Sequence, residues 1–146
     1  RGMVNPRAHI VALVKLVLCR HHIQGLIHVD LDIANGHAEL GDPVPLGLLL
    51  NELLTQSAKH ASKHERKSRI MIVLRPLAEH RCELLYTDEG GGMEQERFLH
   101  EESLSAQLVK ILAQQLNGTI HLLKSDVITF QLTFDNGERG EIRMAS

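Results

Sequence analysis

The chain reads as an α+β protein: a two-layer α/β sandwich whose mixed, mostly antiparallel sheet carries its helices on one face. Three observations predict this. Apolar residues recur with helical spacing in three separate stretches. Between them, apolar residues alternate with period two. The resulting order of helix, strands, helix, two strands, glycine-rich loop, helix and two strands leaves one sheet to be covered by the helices. No repeat and no linker interrupts residues 1–134, which are expected to form one domain, with 135–146 as a loose charged tail.

Ile10, Leu13, Val14, Val17 and Leu18 follow the i, i+3, i+4, i+7, i+8 rule, so residues 7–20 form an amphipathic helix. In "GLIHVDLDI", Leu26, His28, Asp30 and Asp32 alternate with Ile27, Val29, Leu31 and Ile33, the pattern of a strand. "ANGHAELGD" is a turn-rich connector with a short strand at His37–Leu40. Asp42 and Pro43 supply an N-cap and a first-turn proline for a helix running to about Lys63. Its buried stripe is Leu46, Leu49, Leu50, Leu53, Leu54 and Ser57. "SRIMIVLRPL" and "RCELLYTD" form an antiparallel pair across a loop at Ala78–His80. "EGGGMEQERFLHEES" has no apolar period and reads as a long mobile loop. Ser103 or Ser105 caps a third helix with a core stripe of Leu104, Leu108, Ile111, Leu112 and Leu116, ended by Asn117-Gly118. "GTIHLLK", a turn at Ser125-Asp126 and "VITFQLTF" close the chain as a hairpin.

Composition excludes several functions. Over 146 residues the net charge is −2, which argues against binding nucleic acid or membrane surfaces through bulk charge. Aromatic residues make up 3% and Trp is absent, so a base-stacking platform is not expected. No stretch reaches the length of a membrane span and no cleavage site follows "IVALVKLVLC", so the expected location is the cytoplasm. Cys19 and Cys82 form no CxxC and are expected as small core hydrophobes. A native start at Met3 would make the domain free-standing. His60 and His64 stand one helical turn apart, a spacing that suits zinc if a third ligand joins them and otherwise a solvated face.

Three constellations carry chemistry. Glu52, Gln56 and Lys59 share one stripe of the central helix: a carboxylate, an amide and an ammonium that together could coordinate a hard cation and pair with phosphate, or could simply be solvated. Asp88 ends a strand and is followed by Gly90, Gly91 and Gly92, a DxGxG motif whose glycines let a ligand approach the main chain beside a carboxylate. Ser103 to Ser105 begin a helix directly after the long loop, where free N–H groups attract phosphate.

In this order the chain resembles the ATP-binding domain of sensor histidine kinases, of the GHKL or Bergerat-fold superfamily shared with DNA gyrase, and among them the HWE-type kinases and their near relatives. "PLGLLLNELLTQSAKHA", Pro45 to Ala61, is similar to the family's PLGLxLNELxTNAxKHA. DxGxG matches at Asp88, Gly90 and Gly92, "SLSAQLVKILAQQLNGTI" resembles SLGLxLVxxLxxQLxGTI, and "VITFQLTF" resembles GTxFxLxF. The likeness spans residues 7 to 134. It implies that Asp88 binds the adenine amino group with Thr129 nearby through a water, that Gly90 and Gly92 shape the pocket, and that residues 91–102 are an ATP lid. Glu52 is implied as a base or metal helper, and Gln56 as the magnesium ligand. Lys59, Ser103, Leu104 and Ser105 are implied to lie along the phosphates. The implied cofactors are ATP and Mg2+; the implied partners are a dimerisation and phosphoacceptor domain and a response regulator.

Two departures bear on activity. The family's Asn ligand is Gln56 here, and Ser105-Ala106 replace a Gly-Leu pair that closes on phosphate. Neither "NPRAHIVAL" nor "CRHHIQG" has the HRxxN context of this subgroup's acceptor histidine. Two functions are therefore expected: the catalytic domain of a histidine kinase, or a degenerate relative that acts as an adaptor or regulator with little ATP turnover.

Overall fold

The structure is a computed structural model that describes residues 6–21, 25–33, 44–78, 80–90, 103–124 and 127–135. The strand expected at 37–40, the cap at 42–43, Gly92 and the lid at 91–102, the turn at 125–126 and the tail from 136 lie outside them.

Among the described residues there are three helices, α1 (Pro6–Arg20), α2 (Val44–His64) and α3 (Leu104–Gln115), and five strands, β1 (Ile27–Ile33), β2 (Ser68–Pro76), β3 (Arg81–Asp88), β4 (Thr119–Lys124) and β5 (Ile128–Asp135). The sheet runs β1-β2-β3-β5-β4, with β1 parallel to β2 and every other pair antiparallel. The predicted α+β class and mixed sheet are what the chain forms.

Alternation along the strands gives the sheet one dry face. Ile70, Ile72, Leu74, Cys82, Leu84, Tyr86, Phe130, Leu132 and Phe134 are buried, and α2 supplies Leu46, Leu49, Leu50, Leu53 and Leu54 to the same core. Full burial of one such aliphatic side chain contributes about 1.5–3 kcal/mol, so this layer accounts for most of the cohesion. Both α1 and α3 pack on α2. The other sheet face is mixed, with Met71, Val73, Leu85 and Leu123 among polar groups: Thr87 bonds Thr129, and the buried Glu83 accepts from Arg75 Nε and Gln131 Nε2, each at 2.7 Å.

Two expectations are corrected. The core stripe of α3 is only partly the leucine row: Leu112 and Leu116 are buried and Leu108 packs against the core, but the rest of the row is not. Leu104 is 82% exposed and Ile111 is 49% exposed, whereas Ala106, Val109, Leu112, Ala113 and Leu116 are buried. The buried face is rotated toward Ala106 and Ala113, and a leucine-weighted pattern does not register alanine as core. Cys82 is buried as expected, but Cys19 lies on the outer face of α1, opposite Ile10, Val14 and Val17, and is exposed.

Helices α2 and α3 end alike. Glu65 and Asn117 take φ of 48° and 52°, and the next N–H returns to a carbonyl five residues back: Arg66 to Ala61 and Gly118 to Ala113. Gly118 is required for a second reason. A Cβ there would meet the Thr133 carbonyl oxygen at 2.4 Å, so only glycine lets α3 turn tightly against β5.

Candidate functional site

The site lies where α2 crosses the end of β3 and meets the start of α3. At the β3 end, Asp88 is the last strand residue and is 2% exposed. Its Oδ1 accepts from the Ser68 hydroxyl at 2.5 Å and from the Gly90 N–H at 2.9 Å. The Gly90 N–H also reaches Ser68 Oγ at 3.0 Å, closing a three-membered polar ring. A Cβ on Gly90 would stand 2.7 Å from that hydroxyl, which explains the glycine. On the other side, His60 Nε2 donates to the Gly90 carbonyl at 3.2 Å, because a carbonyl can only accept. The His60 ring lies 4.5 Å from that of His64.

Beneath Asp88, Tyr86 is fully buried and its hydroxyl donates to the Leu53 carbonyl at 3.2 Å. With that proton committed, the 2.6 Å bond to Ser57 has serine as the donor. Burial pushes the Tyr86 phenol far above its ordinary range; the Ser57 bond opposes this and the Asp88 charge adds to it. The phenol therefore stays neutral and pins α2 to β3 under the acid.

At the α3 end, Ser103 is the N-cap, its hydroxyl accepting from the Ala106 N–H at 3.1 Å. This resolves the choice between Ser103 and Ser105 and occupies one of the amides a helix start offers to an anion. The Ser105 hydroxyl instead donates to Glu52 Oε1 at 2.5 Å, and Gln56 Nε2 approaches it at 3.4 Å. Glu52 and Gln56, one turn apart on α2, thus converge on one point opposite the α3 start.

The structure brings Glu52, Gln56 and Ser105 together, with Ser103 capping the same helix, and His60 links α2 to Gly90 beside Asp88. Lys59, on the same stripe, is exposed and makes no ion pair among the described residues. Leu104 projects outward. Thr129 is not brought to Asp88. Asp88 follows the helix-facing alternation of Tyr86 and Leu84, whereas Thr129 sits directly across from Thr87 on the outer face and bonds it at 2.8 Å. Adjacent strand positions point to opposite faces, so the acid and this threonine are on different sides of the sheet.

Four residues of the site escaped the sequence: Ser57, His60 as a backbone anchor, Ser68 and Tyr86. Ser68 had no local signal, since its partner is 20 positions away. Tyr86 could have been found, because a lone tyrosine on a buried face needs a polar partner.

Comparison of folds gives these arrangements a context. The histidine kinase domain of the Erythrobacter litoralis EL346 blue-light activated histidine kinase superposes with a TM-score of 0.76 at 16% identity, over 97% of this chain and 66% of that one. The Acinetobacter baumannii histidine kinase AdeS gives 0.71 at 17%, over 92% of this chain and 66% of that one. The mycobacterial sensor histidine kinase MprB gives 0.63 at 17%, over 86% and 93%. The fold is that of a histidine kinase domain. In a histidine kinase fold the described helices of this chain include none long and apolar enough to cross a membrane. No protein-family model matches the chain, and no curated protein sequence matches it. The chain spans 66% of the EL346 domain structure and 44% of a longer EL346 structure.

Proposed function

We propose that this chain is the ATP-binding domain of a two-component histidine kinase, supplying the phosphoryl group to a histidine on another domain. The observation that carries the reading is the buried Asp88, held by Ser68 and Gly90 at the end of the central strand, in a histidine kinase fold. A carboxylate fixed this way can accept a hydrogen bond from an exocyclic amino group such as that of adenine, and its two donors keep it oriented before the ligand arrives.

The residues fit magnesium by donor chemistry. The Glu52 carboxylate and the Gln56 amide are hard oxygen donors, and the Ser105 hydroxyl between them marks the point on which they converge. They would hold the ion, which when bound neutralises charge on the phosphates. The chain's own contribution is positional. Asp88 orients the base, the Gly90 turn lets it approach the main chain, and the Tyr86–Ser57–Leu53 bonds hold α2 at a set height above the sheet. Lys59, exposed on the same stripe, would meet phosphate charge from solvent. Thr129 has no part in this reading. A phosphoacceptor domain and a response regulator are the partners that such a domain requires.

Calorimetric titration with ATP and with ADP tests the proposal, each with and without magnesium. Saturable binding of both nucleotides is expected. No binding up to millimolar nucleotide overturns it and leaves the adaptor reading.

A further inference from the structure

We propose that Ser105 is a specificity-determining residue: its hydroxyl competes, from within the protein, with a divalent cation for Glu52 and Gln56. This rests on the reading above that those two side chains form the cation end of the site.

The geometry of the Ser105 hydroxyl is that of a strong, charge-assisted bond, 2.5 Å from Glu52 Oε1. The hydroxyl's single proton is spent on the carboxylate, while its oxygen lies 3.4 Å from the Gln56 amide nitrogen. A cation needs oxygen from the same two side chains. Its arrival therefore costs the Ser105–Glu52 bond, and Gln56 must turn its amide so that oxygen replaces nitrogen. Ser105 is free to act this way because it carries no capping duty: Ser103 holds the Ala106 N–H. The bond also ties α3 to α2 across 53 positions of sequence. The predicted consequence is a domain whose nucleotide affinity depends weakly on magnesium.

The test compares the whole chain with Ser105→Ala, Ser105→Thr and the double variant Ser105→Ala, Glu52→Gln, using Mn2+ alone as the probe and water-proton relaxation as the readout. Manganese suits carboxylate and amide oxygen. Losing a hydrogen bond to a charged group corresponds to roughly tenfold or more, so Ser105→Ala is expected to bind Mn2+ at least about tenfold more tightly than the parent chain. Ser105→Thr keeps the hydroxyl and stays near the parent, and the double variant loses the gain. Ser105→Gly is the second hydroxyl-free form should the alanine variant fail to fold. Equal manganese affinity in the parent and the alanine variant, undetectable binding by both included, overturns the proposal. ATP titrations of the same proteins separate the two readings. Loss of ATP binding in the parent sinks the proposed function, whereas the manganese comparison alone decides the role of Ser105.

Discussion

The two ends of the candidate site are built differently. At the β3 end, Asp88 is buried and held by groups on β2 and on its own turn, with Tyr86 and Ser57 fastening the helix above it. At the α3 end, Glu52, Gln56 and Ser105 are half-buried and hold one another through side chains carried on two helices. The first end is pre-organised by strand register, which cannot shift without moving the whole sheet. The second is a side-chain arrangement that can exchange partners at the cost of one or two hydrogen bonds. Under the proposed function, recognition falls to the stiff end and charge handling to the adjustable one.

This contrast is breakable. The largest effect is expected from Asp88→Asn, which replaces an acceptor-only group with one that carries donors. ATP affinity measured by calorimetry should fall by about a hundredfold or more, the scale expected when a site's buried polar groups are left mispaired. A fall below tenfold would mean that the stiff end does not recognise the base.

Gly90→Ala comes next. The added methyl meets Ser68 Oγ at 2.7 Å and Ser68 Cβ at 2.9 Å, so chemical denaturation should show a loss of about 1–3 kcal/mol.

Tyr86→Phe leaves the Leu53 carbonyl and Ser57 without their buried partner, for a loss of about 1–2 kcal/mol at neutral pH. It carries a sign in pH as well. The folded phenol holds its proton above its ordinary value of 10.0, so the unfolded chain releases that proton first. Stability from this group is complete below pH 10 and falls as pH rises beyond it, by up to about 1.4 kcal/mol per pH unit. The phenylalanine variant should lack that component of alkaline destabilisation, and identical slopes for the two proteins would contradict the burial argument.

The smallest effect belongs to the adjustable end. Lys59→Ala should change unfolding free energy by no more than about 0.5 kcal/mol, because the side chain is exposed. If it binds phosphate, the same variant should weaken ATP more than adenosine.

Much of this was legible beforehand, for identifiable reasons. The leucines of α2 repeat with a strict helical period, so its buried face and the polar stripe beside it followed from spacing alone. DxGxG after an alternating strand located Asp88 at a strand end. On α3 the spacing finds Leu112 and Leu116 but not Ala106 and Ala113, because alanine carries little weight in a hydrophobic pattern. Thr129 pairs with Thr87 on the face away from Asp88, and nearness in a motif says nothing about which face of a sheet a residue takes.

By itself, then, the sequence determined the periodicities, and with them the helices, the strands and the class of fold. It also determined the kinds of chemical group available to a site. Only the tertiary structure decided the partners: Ser68 for Asp88, His60 for the Gly90 carbonyl, Ser105 for Glu52 and Thr87 for Thr129. The physical reason is that periodicity is a local property of the chain. Hydrogen-bond partners separated by 20 to 53 positions are chosen by strand register and by the distance at which two helices pack.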